Sequence, residues 1–469
     1  MPPVDEAGQP LDLLLEVSRD RSLTLGAQVE DGLRRAIREG ALRPGVRVPS
    51  TRDLSRQLGV SRRIAIDAYA QLAAEGYLVL RQGARPRVAE TAAVAAVAEP
   101  VAAVAAPGLR FDFRPSQPDV STFPRTAWLR SMREAIREAT DADLGYGDPR
   151  GVEVLRATLA DYLGRVRGVV ADPANVMITC GFAQAQDIVL RLLAARGARR
   201  VGLEDPGDPA QREVAERAGL EPVSIPVDEW GVSVEALARA DVDAVVLTPA
   251  HQHPTGVVLS GERRTALRAW LRERGAIALE DDYDAEYRYD RAAIGALQGI
   301  EPEHVVYAGS ASKTLAPALR IGWLVVPADL VEAIGRHKLL TDRGTPRLEQ
   351  LAFADFVARG ELDRHLRRMR GRYRARRDAI VASLAEELPE ATVRGIAAGL
   401  HATVELPEGY DERAIVEEAR RRRIDFDVMA EHRTHAPPGP PTLLLGFAQV
   451  NEAAVRAGVR EIAAIVRGA

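Results

Sequence analysis

The 469-residue chain is short of two residue types, cysteine and lysine. Its one cysteine, Cys180, excludes an intramolecular disulfide and offers no cysteine metal cluster. It has only two lysines, Lys313 and Lys338, so nearly every strongly basic side chain is an arginine. A guanidinium stays protonated and cannot act as a neutral amine nucleophile. A lysine kept in such a chain therefore indicates chemistry that arginine cannot perform.

The sequence also lacks a long uninterrupted apolar run. Its most apolar tract, 92–106, is mostly alanine, is interrupted by Glu99 and Pro100, and is too short to span a membrane. The first ten residues are polar and show no basic region followed by an apolar core, so no secretory signal is predicted. We expect a cytoplasmic protein with no membrane anchor.

The charge is unevenly distributed along the chain. The net charge is −4, but residues 22–88 hold 12 arginines against 6 acidic residues, a balance of +6 that leaves −10 elsewhere. The length predicts two or three domains, or a small one and a large one. A basic module joined to an acidic body indicates contact with nucleic acid at one end.

Helical periodicity and capping residues organise the basic module. Apolar side chains recur at helical spacing over 25–37, and Gly40 follows them. Ser50 or Thr51 can cap a second helix that Gly59 ends, and Ser61 can cap a third that runs to about Ala74. Two short helices joined by a tight turn predict a helix-turn-helix motif, with Arg62 and Arg63 in the first turn of the recognition helix.

A basic hairpin is predicted directly after these helices. Residues 77–80 and 85–88 read as two short strands around a turn at Gln82-Gly83, which would form a wing. The alternative is an arginine-rich helical cap whose charges are merely solvated. The ordered series of helix, turn, capped helix pair and basic hairpin favours DNA binding.

Residues 22–88 resemble the GntR-type winged helix-turn-helix family. The motifs that carry the resemblance are Leu42-Arg43-Pro44-Gly45, Val48-Pro49-Ser50-Thr51-Arg52, Leu58-Gly59-Val60-Ser61-Arg62 and Glu75-Gly76-Tyr77-Leu78. The resemblance implies DNA contacts around Arg47, Ser50, Arg52, Ser61, Arg62, Arg63 and Gly83. The wing departs from the family's usual Gly-Ser-Gly-Thr, because it reads Gly83-Ala84-Arg85-Pro86.

A linker and a large α/β body are predicted beyond the basic module. Residues 89–108 are rich in alanine and valine, contain two prolines and have no amphipathic period, which is typical of a linker. In the body, 109–469, short valine- and isoleucine-rich runs alternate with helix-length segments. This pattern predicts a mostly parallel sheet covered on both faces. The predicted strands are Val176–Thr179, 201–203, 244–247, 276–279, 305–307 and 321–326.

The segment 310–322 surrounds one of the two lysines, Lys313, with polar side chains. Lys313 is flanked by Ser310 and Ser312, and Arg320 follows seven residues later. A neutral lysine amine can form a Schiff base with an aldehyde, while two hydroxyls and a guanidinium suit a phosphate group. These are the requirements of pyridoxal 5'-phosphate. The alternative is an ordinary surface lysine beside a serine-rich turn.

Three further motifs follow predicted strands, at the edge where such sheets bind ligands. Cys180-Gly181-Phe182-Ala183-Gln184 offers free amides at a helix N-terminus. Glu280-Asp281-Asp282-Tyr283-Asp284 could supply a carboxylate for a pyridine nitrogen and a phenol for a ring oxygen. A metal site or a solvated acidic loop is the alternative, and no metal is predicted. The third motif, His251-Gln252-His253-Pro254-Thr255-Gly256, favours a rigid ligand loop.

Over about 110–465 these motifs resemble the fold-type-I aminotransferases. With a GntR-type head, the whole chain resembles the MocR/GabR group of pyridoxal-phosphate-dependent transcriptional regulators. The resemblance implies that Lys313 holds the cofactor covalently, that Asp281 (or its rival Glu280) pairs with the pyridine nitrogen, and that Tyr283 meets the ring oxygen. It also implies a set of contacts to the phosphate and ring from Ser310, Ser312, Arg320, Gly181, Phe182, Ala183, His253 and, reaching the neighbouring subunit, Tyr146.

Two departures from the aminotransferase pattern bear on function. Asp208 stands where the family usually places a tyrosine that meets the ligand, and Leu444 stands where aminotransferases place the arginine that binds the substrate carboxylate. The sequence therefore predicts a homodimeric DNA-binding regulator of repeated half-sites that senses an amine or amino acid by exchange at Lys313. The alternatives are an active aminotransferase with an accessory head, and a regulator that has lost the cofactor.

Overall fold

The computed structural model describes residues 23–90, 108–284, 286–289, 294–395 and 397–468, together with Leu15, Val17 and Ser18. The chain divides into two compact units, Met1–Ala105 and Ala106–Ala469. The linker expected over 89–108 lies outside the described residues except for its two first residues and its last, so it stays a prediction. Each unit is described by itself below.

The first unit has the predicted helices and hairpin. Its described elements are α1 (Leu25–Arg38), α2 (Thr51–Leu58), α3 (Arg62–Ala74), β1 (Leu78–Val79) and β2 (Arg87–Val88). Ser50 caps α2 by accepting from the Asp53 amide, and Ser61 caps α3 by accepting from the Ile64 amide. Each such cap is worth about 1 kcal/mol of helix stability. Gly59 ends α2 in the left-handed conformation that a residue with a side chain rarely adopts.

The apolar period of α1 faces the core of this unit. Val29, Leu33 and Ile37 are buried and pack in one cluster with Leu54 of α2 and Tyr69 of α3. Strands β1 and β2 pair antiparallel, with Leu78 opposite Val88, and the connecting turn holds Gly83 at a φ of +79°. The winged helix-turn-helix expectation is confirmed, although both strands are shorter than predicted.

The second unit is built on an eight-stranded sheet. Its strand order is β4-β11-β10-β9-β8-β5-β6-β7, and all pairs from β10 to β6 are parallel. The strands are β4 (Val176–Thr179), β5 (Arg200–Asp205), β6 (Glu221–Asp228), β7 (Gly231–Val232), β8 (Ala244–Leu247), β9 (Ile277–Asp281), β10 (Val305–Ser310) and β11 (Gly322–Val325). The mostly parallel α/β prediction is confirmed, since six of the eight strands run in one direction and only β11 and β7 run in the other.

The sequence analysis missed β6 and a second sheet. β6 contains Pro222 and Pro226, and all of its residues except Ile225 are half-buried or exposed, so it lacks the continuous apolar run of the central strands. A four-stranded antiparallel sheet has the order β12-β13-β16-β15, and β14 pairs with β3. These strands are β3 (Phe111–Asp112), β12 (Thr392–Arg394), β13 (His401–Glu405), β14 (Ile424–Asp425), β15 (Asp427–Val428) and β16 (Thr442–Gly446).

Helices cover both sheets. The described α-helices of this unit are α4 (Arg125–Glu138), α5 (Glu153–Arg167), α6 (Phe182–Ala195), α7 (Pro209–Arg217), α8 (Val234–Arg239), α9 (Gly261–Arg274), α10 (Ala311–Thr314), α11 (Val331–Thr341), α12 (Arg347–Ala358), α13 (Glu361–Glu387), α14 (Glu412–Arg421) and α15 (Glu452–Val466). Among the helices of the described ranges, none is long and apolar enough to cross a membrane.

The parallel strands bring their carboxyl ends to one edge of the large sheet. β4, β5, β8, β9 and β10 all end there, and each is followed by a turn that carries polar side chains. In open α/β sheets this edge is where ligands bind. The fold therefore gathers the motifs that the sequence analysis singled out after separate strands.

Candidate functional site

One pocket of about 270 Å³ lies at this edge of the large sheet. Nine of the eleven side chains predicted to hold a cofactor line it: Phe182, Ala183, His253, Asp281, Tyr283, Ser310, Ser312, Lys313 and Arg320. Six further lining residues were not singled out as cofactor contacts: Ser116, Glu204, Gly207, Asp208, Gln211 and Thr248. The lining is thus much more polar than a packed core.

Lys313 lies in the single helical turn α10, directly after β10. Burial lowers the pKa of its amine from the ordinary value, and the nearby carboxylates of Asp281, Asp284 and Asp208 oppose that shift. A lower pKa makes the neutral, nucleophilic form of the amine easier to reach near neutral pH. The other lysine, Lys338, is fully buried and pairs with Asp342 at 2.8 Å.

At one end of the pocket the lining groups are cationic or hydrogen-bond donors. We call Ser310, Ser312, Arg320 and the amides at the N-terminus of α6 the phosphate end. Arg320 donates from Nη2 to the Cys180 carbonyl, and a Cβ added to Gly181 would lie 3.4 Å from both of its terminal nitrogens. The hydroxyl of Ser310 does not cap α10, and Gly181, which precedes α6, has no side chain that could cap that helix. Hydroxyls, helix amides and a guanidinium together form an anion site.

The acidic motif after β9 separates into different environments. Asp281 lines the pocket, whereas Glu280 is fully buried and accepts from the amides of Leu297 and Gln298 at 2.8 and 2.9 Å. Of the two rivals for the pyridine nitrogen, Asp281 is the one beside Lys313. Burial, with the neighbouring Asp282, raises the pKa of Asp281 well above its ordinary value, and Lys313 opposes the rise. A cation placed against Asp281 would lower that pKa again.

Asp282 faces a different part of the protein. Its carboxylate pairs with Arg167 at 2.7 Å and accepts from the Tyr307 hydroxyl at 2.7 Å, and all three side chains are buried. Burial of such a pair is tolerated because both charges are compensated in place. Asp282 therefore stabilises the fold, while its neighbour Asp281 lines the pocket.

A group of imidazoles surrounds Tyr283. The Tyr283 hydroxyl lies 3.1 Å from His251 Nδ1, which also lies 3.0 Å from Asp284. The ring of His253 is 5.2 Å from His432 and 5.6 Å from His401, centroid to centroid. Burial, reinforced by the other histidines, lowers the pKa of His253 well below its ordinary value, and burial lowers the pKa of His401 to about 4. Both rings are therefore neutral at pH 7.

Two carboxylates also line the pocket, and we call Glu204 and Asp208 the acidic end. Glu204 is the penultimate residue of β5, and burial raises its pKa to about 7, although Thr248 and Gln252 donate to it and oppose the rise. Asp208 is exposed and caps α7 by accepting from the Ala210 amide at 2.9 Å. The sequence marked Asp208 as a departure but missed Glu204. The signal for Glu204 was available, since it directly follows the predicted strand 201–203.

Three positions that were singled out from the sequence lie apart from the pocket lining. Gly181 lies under the Arg320 guanidinium without lining the pocket, and Tyr146 is 79% exposed on this chain. Tyr146 was expected to reach a neighbouring subunit, and that stays a prediction. Leu444 is fully buried in β16, opposite Thr403 on one side and Asp427 on the other. At this position the chain offers no charge to a ligand.

The predicted DNA contacts lie on the first unit. The side chains of Arg47, Arg52, Arg62 and Arg63 are exposed, as are Ser61 and Gly83, and Ser50 is half-buried. Arg63 pairs with Asp67 at 2.9 Å on α3, and Ser50 donates to the Asp53 carboxylate at 2.6 Å. Exposed guanidiniums at the start of α3 and on the wing side leave positive charge for phosphate contact. The individual contacts stay predictions.

Two family models match the chain. Residues 25–88 match the bacterial regulatory proteins of the gntR family, and residues 116–418 match the class I and II aminotransferases. The first match covers the winged helix-turn-helix, and the second covers the pocket, all eight strands of the large sheet and two of the four strands of the second sheet.

Curated relatives combine both regions. The chain is 31% identical to the HTH-type pyridoxine biosynthesis transcriptional regulator PdxR of Corynebacterium glutamicum, over 84% of this chain and 86% of that protein. It is 31% identical to the probable rhizopine catabolism regulatory protein MocR of Rhizobium meliloti, over 96% and 95% respectively. The likeness to MocR extends across the head and the body.

Among solved structures, the body is similar to a kynurenine aminotransferase of Pyrococcus horikoshii, determined with PMP, KYN as substrates and KYA as products. The identity is 28% with a TM-score of 0.69, over 76% of this chain and 91% of that one. The expected aminotransferase-like fold is thereby confirmed.

Proposed function

Because the chain belongs to the MocR-type family of regulators, we propose that it is a DNA-binding transcriptional regulator whose body holds pyridoxal phosphate on Lys313 and senses an amine. The family joins a GntR-type head to an aminotransferase class I and II domain, and both regions are matched in this chain. The observation that carries the proposal is the convergence of Lys313, Asp281, Tyr283 and the phosphate end in one pocket. Packing alone does not require residues that lie so far apart in the sequence to meet in one pocket.

The donor set of the pocket fits the cofactor. The phosphate end would take the phosphate, Asp281 the pyridine nitrogen, and Tyr283 the ring oxygen. His253 Nδ1 is buried and has no hydrogen-bond partner among the described residues, although the ring lines the pocket. An unpartnered buried nitrogen costs free energy, so a bound group that reaches it would relieve that cost. In this proposal His253 would meet the same ring oxygen as Tyr283.

When bound, the cofactor would supply an aldehyde carbon to which either Lys313 or an incoming amine can be joined. Lys313 would be the amine that an incoming amine displaces from that carbon, and it would take up the proton that the incoming amine gives up. The lowered pKa of Lys313 keeps its neutral form accessible in both directions of the exchange. The exchange is thus reversible, as sensing requires.

Turnover of amino acids has less support than sensing. The aminotransferase pattern places an arginine where this chain has the fully buried Leu444, so the usual partner of a substrate carboxylate is missing. A bidentate arginine–carboxylate contact is worth about 1.5–3 kcal/mol, and its loss lowers discrimination for amino acids. An active aminotransferase remains the second candidate, tested by following oxo-acid formation over a panel of amino donors.

Two copies of the chain would read a repeated operator. Leu144, Tyr146 and Leu340 are exposed apolar side chains of the body, which favours burial against a second copy. Two heads in one dimer would then contact two half-sites. Tyr146 is the residue through which one body would reach the pocket of the other.

Separating the two activities by mutation tests the proposal. The full chain, reconstituted with pyridoxal phosphate, should show an absorbance band that an added amine shifts, and DNA binding that the same amine changes. Lys313→Ala should lose the band and the amine response while still binding DNA. Arg62→Ala should keep the band and weaken DNA binding by roughly tenfold or more, since a specific guanidinium contact is worth about 1–3 kcal/mol.

Arg35→Ala is the matched control for the head, because Arg35 is an exposed arginine of α1 paired with Asp31 at 2.7 Å. It should leave DNA binding nearly unchanged. A wild-type protein without a band that depends on Lys313 would contradict the cofactor part of the proposal. DNA binding that does not weaken as salt is raised would contradict the helix-turn-helix part.

A further inference from the structure

We propose that the amine sensed at this site carries a second cationic group in place of a carboxylate, as a short diamine does, and that the acidic end of the pocket holds this second charge. The inference rests on the proposed function, because it concerns the ligand that exchanges with Lys313. Four observations support it. Glu204 and Asp208 each have a carboxylate oxygen without a hydrogen bond from the described residues, whereas the nearby Asp205 is fully hydrogen-bonded. The two cations of the lining, Lys313 and Arg320, already have other roles, and the imidazole of His253 is neutral.

Glu204 is held in place through one oxygen and leaves the other one to the pocket. Its Oε2 accepts from the Thr248 amide at 3.0 Å, from the Thr248 hydroxyl at 2.5 Å and from Gln252 Nε2 at 3.4 Å. Every hydrogen bond that the described residues give this carboxylate ends on Oε2. Oε1 is therefore a fixed acceptor at the pocket wall, and a ligand ammonium can supply its missing donor.

Asp208 has the same half-used arrangement. Its Oδ1 accepts from the Ala210 amide at 2.9 Å, and this cap occupies the N-terminus of α7 with the chain's own negative charge. An anionic ligand would meet that charge instead of free amides. Asp205, between the two in sequence, is different, because its oxygens take the amides of Thr434, His435 and Ala436 at 3.0, 2.7 and 3.0 Å. It is satisfied by the protein and lies outside the pocket lining.

The cations that line the pocket are already committed. Lys313 is the reacting amine, and Arg320 donates to the Cys180 carbonyl over Gly181 at the phosphate end. His253 is a neutral ring at pH 7, since burial lowers its pKa. Among the described lining residues, none is left to neutralise a ligand carboxylate. A carboxylate at the acidic end would be repelled, whereas an ammonium group would be attracted.

A matched ligand series tests the charge preference. The probes are 1,4-diaminobutane, 1-aminobutane and 4-aminobutanoate, which share one chain length and end in a cation, a neutral methyl and an anion. The same three end groups are compared on chains of three to six carbons. Dissociation constants come from the shift of the cofactor band in the loaded full chain, and a second readout is the shift in melting temperature. We expect the best diamine to bind at least about tenfold more tightly than its monoamine, and the amino acid to bind most weakly.

Three variants test the acidic end. Asp208→Asn keeps a good helix cap, because asparagine caps as well as aspartate, and removes only the charge. It should reduce the ratio of diamine to monoamine affinity by roughly threefold to tenfold, and Glu204→Gln should do the same. Glu216→Gln removes an exposed acid from the same helix α7 and should leave the ratio unchanged.

The outcomes separate this inference from the proposed function. A tighter complex with the amino acid than with the diamine, or a ratio that survives both Asp208→Asn and Glu204→Gln, would overturn the inference alone. A Lys313-dependent band that no member of the series shifts would also overturn it, while leaving cofactor binding intact. Absence of that band in the wild type would contradict the proposed function itself and the inference with it.

Discussion

The two ends of the pocket differ in charge and in their likeness to aminotransferases. The phosphate end gathers two serines, Arg320 and helix amides, all as the aminotransferase resemblance implies. The acidic end presents Glu204 and Asp208, the latter at a position where that family usually has tyrosine. Under the two proposals above, the phosphate end would hold the cofactor while the acidic end would set the ligand preference. The predictions below separate the ends from each other and from the supporting structure.

The largest effect is expected at Asp282, which follows Asp281 in the sequence but lies outside the pocket lining. Asp282→Ala leaves Arg167 buried without its partner at 2.7 Å, and it also removes the acceptor of the Tyr307 hydroxyl. The free energy of unfolding should fall by about 3–5 kcal/mol. Tryptophan fluorescence in urea follows this directly, because all four tryptophans lie in the second unit.

Asp363→Ala is the matched control for that variant. The pair between Asp363 and Arg165 at 3.0 Å is largely solvent-exposed, so its removal should cost less than about 1 kcal/mol. Equal losses in the two variants would mean that Asp282 does not support the fold, and the division between pocket acids and structural acids would fail.

A middle-sized effect is expected at the phosphate end. Arg320→Ala removes the guanidinium from the anion site, and the affinity for pyridoxal phosphate should fall about tenfold to a hundredfold. Arg320→Lys should be intermediate, because an ammonium keeps the charge but not the planar fork. The diamine-to-monoamine ratio of the remaining loaded protein should not change. A ratio that collapses with Arg320→Ala would show that the two ends are not independent; Arg336→Ala, an exposed arginine of α11, is the control.

The smallest effect concerns pH. Burial raises the pKa of Glu204 to about 7, so the carboxyl is mostly neutral below that pH and charged above it. The affinity ratio of diamine to monoamine should therefore rise severalfold between pH 6 and pH 8, since each unit below the pKa costs up to about tenfold in the charged fraction. Titration of the loaded chain at each pH measures the ratio. Glu204→Gln should flatten the rise and Asp208→Asn should retain it; a flat wild-type profile would exclude a role for Glu204 charge.

Local signals carried most of the fold prediction. Ser50, Gly59 and Ser61 are caps whose geometry depends on a few neighbouring residues, so α2 and α3 were placed within one residue. The central strands are continuous apolar runs that read directly from the sequence. β6 was missed because its pairing with β5, and not its own composition, makes it a strand.

The site was only partly predictable for a related reason. Lys313, Asp281 and Arg320 follow strands and belong to recognisable motifs, so their meeting at one edge could be expected. Which acid of 280–284 faces the pocket depends on the strand's alternation and on the loop that supplies the amides of Leu297 and Gln298. The free oxygen of Glu204 depends on Thr248 and Gln252, which lie more than 40 residues away.

The scarcity of lysine gives the protein an unusual surface chemistry. Lys338 has no exposed surface, which leaves Lys313 as the one accessible lysine amine of the whole chain. Simple monoaldehydes condense with neutral amines and not with guanidinium groups. A monoaldehyde that meets this protein therefore finds an arginine-coated exterior that does not compete for it. Reductive trapping with a simple aldehyde would therefore mark a single lysine side chain, Lys313.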